Sequence, residues 1–443
     1  MATVERGLAE RLLAPVADVR RGEAGSVLLM GLTMLLLLAA YYMLKTAREA
    51  LILSQGGAEV KTYSSAGQAM LLLLIIPVFS ALASRVARAK LVALVTSFFI
   101  SNVILFTIFG PGREFVGIVY FLWVGIFNVM VVAQYWGFAN DLYTPEQGKR
   151  LFPIVGLGSN LGAWLGSAYA SVAIAAIGPY PLMLIAAGVL ATCLILALLV
   201  HRRQVRLTPP QKRKEGEQPL SKAGAFELIR RDRYLMYLAA LTVVINVATT
   251  SSDYLFGRLL VDASIAQFGD GADSATARER FIGATYGGVY SGINLVSFLV
   301  QFFLVSRVFK YIGVANALFF HPFVGLAGYL LMMGRPSLDV VRWFKTADAS
   351  LDYSLDNTAR QALWLPTSRE AKYKAKQAVD SFFQRAGDVT QAGIVFVGNL
   401  LSFGVPTFAA LNTGLVIVWL VIVTRLRALY REREQPPAKA VAA

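Results

Sequence analysis

Residues 26–49 read SVLLMGLTMLLLLAAYYMLKTARE, and the first nineteen of them carry no charge. Crossing a hydrocarbon core takes ~20 apolar residues in helical form. This stretch is therefore a membrane-spanning helix that ends in a charged cluster. Similar apolar runs lie at 70–83, 91–109 and 415–423. Composition agrees: of 443 residues, 56% are hydrophobic and only 16% charged, with a mean hydropathy of +0.57. A soluble chain carries roughly a quarter charged residues. No small-residue processing site follows the first run, so the helix is expected to be retained rather than cleaved as a signal.

Extending this pattern gives twelve helices, near 25–47, 62–84, 91–110, 115–139, 151–176, 180–201, 233–261, 284–306, 312–333, 338–362, 376–402 and 406–428. The fold class expected is an all-α membrane protein. The net charge of +15 is concentrated in alternate loops, the positive-inside pattern of topology, and not the patch of a nucleic-acid binder. Basic loops follow the even-numbered helices: Arg85 with Arg88 and Lys90, Lys149 with Arg150, Arg307 with Lys310, and Lys372 with Lys374. The segment 202–233 holds ten Lys/Arg against four Asp/Glu and reads as a basic cytoplasmic linker in contact with anionic lipid. Both termini are then expected to be cytoplasmic. Residues 1–24 have Val4, Leu8, Leu12 and Val16 at helical spacing, as in an interfacial helix; residues 429–443 read as a disordered tail.

The two halves, 25–201 and 233–428, carry traces of duplication. Ser84-Arg85-Val86 recurs as Ser306-Arg307-Val308, 222 positions later, and Lys149-Arg150 has its counterpart in Lys372 and Lys374. Two pseudo-symmetric six-helix halves with a midplane site between them describe the major facilitator architecture.

Ionisable groups inside a membrane are costly and default to functional candidates. At the end of the first helix, Lys45 and Glu49 are four apart and positioned to pair. Arg48 is a planar cationic fork suited to carboxylate or phosphate, and Glu49, about 100° away around the helix, looks a poor partner for it. The alternative is that Lys45 and Arg48 snorkel to the headgroups. In helix ten, Asp348, Asp352, Asp356 and Arg360 recur every four residues, a stripe that fits either salt bridges between helices or coupling and gating. Arg385 and Asp388 are spaced to pair in helix eleven. Asn246 and Asp253 in helix seven and Asn128 in helix four supply polar atoms. Gly158, Gly162 and Gly166 are small-xxx-small steps for close packing; the glycine run fails as a dinucleotide loop because no strand precedes it. His201 and His321 are far apart and Cys193 is alone, so spacing offers no metal site, and no enzyme or cofactor motif is present.

At helices four and five, Trp136-Gly-Phe-Ala-Asn140 is followed by Lys149-Arg150-Leu-Phe-Pro153-Ile-Val-Gly156-Leu-Gly158-Ser-Asn160. These blocks, with Tyr353-Ser-Leu-Asp356, Pro366, Lys372-Tyr-Lys374-Ala-Lys376 and Asp380 in the second half, closely resemble the ATP/ADP translocases of plastids and obligate intracellular bacteria. The resemblance implies a major-facilitator-like fold and exchange of nucleotides or another anion, and it places Arg48 on a family lysine implicated in nucleotide binding. Two family glutamates fall instead on Val124 and Thr249, and a lysine on Asp388, departures that favour a divergent bacterial branch with an altered substrate.

The combined expectation is a monomeric secondary transporter of a small anion, working by alternating access. Lys45, Arg48 and Arg385 would hold the anion, with Asn128, Asn246 and Asp253 orienting it. Asp348, Asp352, Asp356, Arg360 and Asp388 would couple or gate. Arg85, Lys149, Arg150, Arg307, Lys372 and Lys374 would make cytoplasmic interdomain contacts. The rivals are a carrier of a lipid-linked substrate and a transporter-shaped scaffold without flux. No cofactor, metal or nucleic acid enters any of these.

Overall fold

The computed structural model describes residues 19–434, except 21–22, 87, 114, 144, 208–224, 335, 369–370 and 372–374. Among the described residues, nine helices are long and apolar enough to cross a membrane. The first of these is two in one. The helical run Ala24–Arg85 is interrupted at Gly57, whose φ of 74° and ψ of −175° are not helical. At 1.5 Å per residue the whole run would be ~93 Å long, three times a hydrocarbon core. We number its two parts α1 (24–56) and α2 (58–85). Only glycine enters such a backbone region without strain.

After these come α3 (Arg88–Phe109), α4 (116–142), α5 (Pro145–Ile177), α6 (Pro179–Leu207), α7 (Arg233–Phe268), α8 (275–311), α9 (314–334), α10 (338–362), α11 (376–400) and α12 (Val405–Glu434). A short helix, Ala225–Arg231, precedes α7. Helices α10 and α11 fall outside the nine because they carry the charges singled out above, which brings the described transmembrane set to the expected twelve. Several boundaries differ from expectation. α1 runs two turns past Arg48 to residue 56, α5 begins at Pro145, and α12 continues to Glu434 into the stretch expected to be a disordered tail. Polar residues continue a helix beyond the hydrocarbon core, as in 145–150 and 429–434, so hydropathy alone does not mark the cap.

Contacts divide the chain into two units. Unit one comprises 1–56, 71–215 and 268–294; unit two comprises 57–70, 216–267 and 295–443. Neither is a continuous run: the first part of α2 falls in unit two and the first part of α8 in unit one.

Unit one is held by close helix packing. Gly158, Gly162 and Gly166 repeat every four residues and so share one face of α5. A Cβ on them would collide with the α1 backbone at Gly31, Leu35 and Ala39 respectively. In α8, Gly283 and Gly287 lie against Ala50 and Ile174, and against Ser171. Side chains fill the remaining space: Val27, Met30, Met34 and Leu37 of α1 belong to one buried cluster with Leu182, Met183 and Leu190 of α6. Unit two packs α9 on both α10 and α12, and Ser337 caps α10 by accepting a hydrogen bond from the Val340 backbone N–H at 3.3 Å. Leu74, Phe98, Val172, Ile195 and Val421 stand exposed on the outside. Such a belt is a liability in water and is solvated by lipid.

Among the described residues, π-turns interrupt four helices at Asn128–Val132, Val300–Leu304, Asp352–Asp356 and Val379–Phe383. These bulges insert one residue into the helical ladder and often mark functional sites. The one at Asp352–Asp356 carries two acids of the α10 stripe.

Candidate functional site

Two clusters of charge lie inside the membrane-spanning helices, one in each unit. In unit one, α1 supplies Lys45, Arg48 and Glu49. Because α1 is centred near residue 40, Arg48 sits ~12 Å from its midpoint, within the ~15 Å half-thickness of a hydrocarbon core. The Lys45 ammonium lies 4.2 Å from the centre of the Tyr290 ring and 5.3 Å from that of Tyr42. The Arg48 guanidinium stacks over Phe121 at 4.5 Å. Its Nε donates to Glu49 Oε1 at 3.1 Å, and its terminal nitrogen pairs with the same oxygen. The Tyr290 hydroxyl donates to that oxygen as well, at 3.0 Å.

This corrects the expectation that Glu49 is a poor partner for Arg48. The 100° between neighbouring Cβ directions is bridged by the long arginine side chain bending round the helix. Packing leaves Arg48 13% and Glu49 0% exposed, and a carboxylate so deeply buried requires a cation. The snorkelling alternative also loses its premise, because α1 continues to residue 56.

Unit two gathers a longer chain of groups. Asp253 on α7 pairs with Lys61 of α2 at 2.5 Å and lies 3.6 Å from Lys345 of α10. Lys345 Nζ donates to Ser252 Oγ at 3.3 Å, and Ser252 donates to Asp348 Oδ2 at 2.8 Å. The other Asp348 oxygen is 3.0 Å from His321 Nε2 on α9. On the far side of the ring, Nδ1 stands 3.7 Å from Asp356. Arg360 closes the series, 2.7 Å from Asp352 and 3.1 Å from Asp356. The acids at four-residue spacing thus meet His321 of α9, Ser252 of α7 and Arg360 of their own helix.

Other expected site residues are placed differently. Asn128 is exposed on the π-turn of α4, and Asn246 lies against Gly387 of α11. Arg385 and Asp388 pair at 3.0 Å. Arg150 was expected in interdomain contacts; it makes two hydrogen bonds, at 3.0 and 3.1 Å, to Glu23 within unit one. Arg307 is exposed and donates to the Phe303 carbonyl of its own helix. Lys372 and Lys374, and the side chains of Arg85 and Lys149, lie outside the described residues, as do most of the interfacial segment and the linker.

Sequence reasoning missed His321, Lys345, Lys61 and Tyr290. Lys345 precedes Asp348 by three residues and belongs to the same helical face, a signal present in the text. His321 offered only its presence in an apolar segment. The donors His321, Asp352 and Asp356 lie within 4.8 Å of one another, as metal ligands would, although spacing gave no such site. Arg360 is ion-paired to both carboxylates, so a cationic side chain already holds the place a metal would take.

The family model described as TLC ATP/ADP transporter matches residues 8–116 and 115–251, more than half of the chain. The chain belongs to the TLC ATP/ADP transporter family. Among its relatives, ADP,ATP carrier protein 1 of Chlamydia pneumoniae is 22% identical over 347 residues, covering 68% of this chain and 65% of that protein. The chloroplastic ADP,ATP carrier protein 2 of Arabidopsis thaliana is 22% identical over 359 residues, or 71% and 56% of the two chains. The chain thus spans slightly less than two thirds of the first of these relatives. Among solved structures, the nucleoside transporter NupG aligns over 92% of this chain and 99% of its own, with a TM-score of 0.64 and 8% identity. A bacterial homologue of the iron transporter ferroportin gives 93%, 99%, 0.60 and 14%. At these identities the likeness fixes the fold, a major-facilitator-like multi-pass membrane protein.

At the family positions noted above, this TLC member has an apolar or hydroxyl side chain where an acid was expected. Val124 is fully buried, and the Thr249 hydroxyl donates to the Ile245 carbonyl at 3.0 Å.

Proposed function

We propose that the chain is an alternating-access transporter that exchanges adenine nucleotides or a closely related phosphate-bearing anion. The observation that carries this is the α1 cluster of Lys45 and Arg48. Two cations occupy the hydrocarbon depth of one helix, flanked by the rings of Tyr42, Phe121 and Tyr290. Phosphate oxygens accept from a guanidinium in parallel pairs, and a purine stacks on aromatic rings. Family membership supports the same substrate class. In the absence of substrate, Glu49 serves as the counter-ion of Arg48; a nucleotide phosphate would share the guanidinium with it.

The rest of the reading follows the loop charges. Both termini face the cytoplasm of a bacterial plasma membrane, and a monomer of two duplicated six-helix halves, 25–201 and 233–428, alternates between states. Purified protein in proteoliposomes preloaded with ADP should take up labelled ATP, and empty vesicles should not. Uptake that is independent of internal nucleotide would refute exchange. Failure of ATP, ADP and other phosphate-bearing solutes alike to exchange would refute the substrate class.

A further inference from the structure

We infer that His321 is a proton-binding centre through which transport is coupled to proton movement, whichever anion is carried. Its imidazole is 1% exposed and lies between two carboxylates of α10, with Nε2 3.0 Å from Asp348 and Nδ1 3.7 Å from Asp356. A neutral imidazole has one N–H and serves only one of them as donor; an imidazolium serves both. Nδ1 and both Asp356 oxygens are buried and make no hydrogen bond among the described residues. The 3.7 Å separation exceeds hydrogen-bond length and closes with a small shift of either helix. A buried, half-assembled pair of this kind is positioned to be completed by a proton.

Charge counting gives the same stoichiometry. Asp348, Asp352 and Asp356 face Arg360, which pairs with the latter two, and Lys345, which reaches Asp348 through Ser252. Asp253, also near Lys345, has Lys61 beside it. Three acids against two bases leave one negative charge, and a proton on His321 cancels it. Buried net charge is expensive, so gain or loss of that proton must be accompanied by movement of the groups around it. From α12 the ring meets Trp419 edge-on at 4.7 Å, and the nearby Arg427 lies over Phe319. Among the described residues α7 presents Ser252 here, which stands between Asp348 and Lys345.

Access and movement are both provided for. A cavity of about 290 Å3 between α7, α10 and α11 is lined by Thr242, Asn357, Arg360, Gln361, Asp380 and Gln384. Arg360, the neighbour of Asp356, lines this cavity, which is large enough to admit water. Asp352 and Asp356 lie on the π-turn of α10, where the helical ladder has one residue of slack. On binding, a proton from water bonds to the Nδ1 lone pair and the new N–H donates to Asp356. On release that bond breaks, its electron pair stays on Nδ1 and the proton returns to water.

His201 is the only other histidine, so a His201→Gln chain labelled with 15N-histidine reports His321 alone. In nanodiscs at pH 7 both ring nitrogens should show imidazolium shifts. Asp356→Asn, which keeps the carboxyl shape, should lower the titration midpoint by at least one pH unit. A neutral single tautomer at pH 7, or a midpoint unmoved in Asp356→Asn, would overturn the inference. This arm needs no substrate, so it stands or falls separately from the nucleotide reading. In proteoliposomes with a trapped pH dye, ATP uptake should carry protons, and His321→Gln should uncouple the two while ATP binding survives. Acceleration by sodium with no dye response would assign the coupling to a metal cation and overturn it likewise.

Discussion

The two charged clusters are built on opposite balances. On α1, two bases and one acid lie together among aromatic rings, with Arg48 paired to Glu49 and Lys45 over Tyr290. On α10, three acids share two bases and a histidine, leaving room for one more positive charge. An anion fits the first and a proton the second. On the proposed reading, the difference teaches that substrate and coupling ion are separated by which sign of charge is in the majority in each cluster.

The largest expected effect tests the scaffold beneath the α1 cluster. Gly162→Leu would drive a side chain into the Leu35 backbone, and main chain cannot yield as a side-chain tip does. Loss of folded protein in size-exclusion chromatography is expected, whereas the same change at Gly156, which faces open space, should be tolerated. Equal behaviour of the two variants would remove the rigid support on which the α1 site depends.

Next in size is the site itself. Arg48→Ala should weaken nucleotide binding by ~100-fold or more, since it deletes charge-assisted bonds of ~1.5–3 kcal/mol each. Arg48→Lys keeps the charge without the fork and should lose ~10-fold. Calorimetry at fixed ionic strength measures both, and unchanged affinity in Arg48→Ala would erase the contrast between the clusters.

In the α10 cluster, removing either Asp356 or Arg360 leaves a buried charge unmatched, a cost of ~3–5 kcal/mol. Asp356→Asn with Arg360→Gln should therefore melt closer to the parent than the sum of the single changes. Additive losses would mean that the two groups do not interact.

The smallest effect lies at the edge of unit one, outside the membrane. Burial pushes the Glu23 carboxyl up, but hydrogen bonds from Arg150, the Arg20 backbone and Gln147 hold it below its ordinary value. A depressed carboxylate contributes stability above its unfolded value and loses it as pH falls through the folded one. Thermal stability should therefore decline below about pH 4.3, and Glu23→Gln should flatten that part of the curve. A steeper decline in Glu23→Gln would place the acid sensitivity elsewhere.

Much of this was legible in the text. Twelve segments, the glycine face of α5 and the cations of α1 follow from hydropathy and from spacing of four, both local properties. The Asp348–Asp352–Asp356–Arg360 stripe was legible as a stripe. What it faces was not, because Lys61 and His321 lie hundreds of residues from Asp348 or in another helix altogether, and no period links them to it. Glu49 was misjudged for a related reason: helical geometry fixes where a Cβ points, but packing decides where a flexible arginine can bend.

Sequence by itself determined that this chain lives in a bilayer, which loops carry its positive charge, and which helices are too polar to face lipid. Those are consequences of transfer free energies summed along a segment, which do not depend on neighbours. Only the tertiary structure decided which charges compensate one another. Arg150 turned to Glu23, Arg48 to Glu49, and His321 settled between Asp348 and Asp356. Pairing energy depends on distance and burial, and both are set by how the helices pack rather than by their order in the chain.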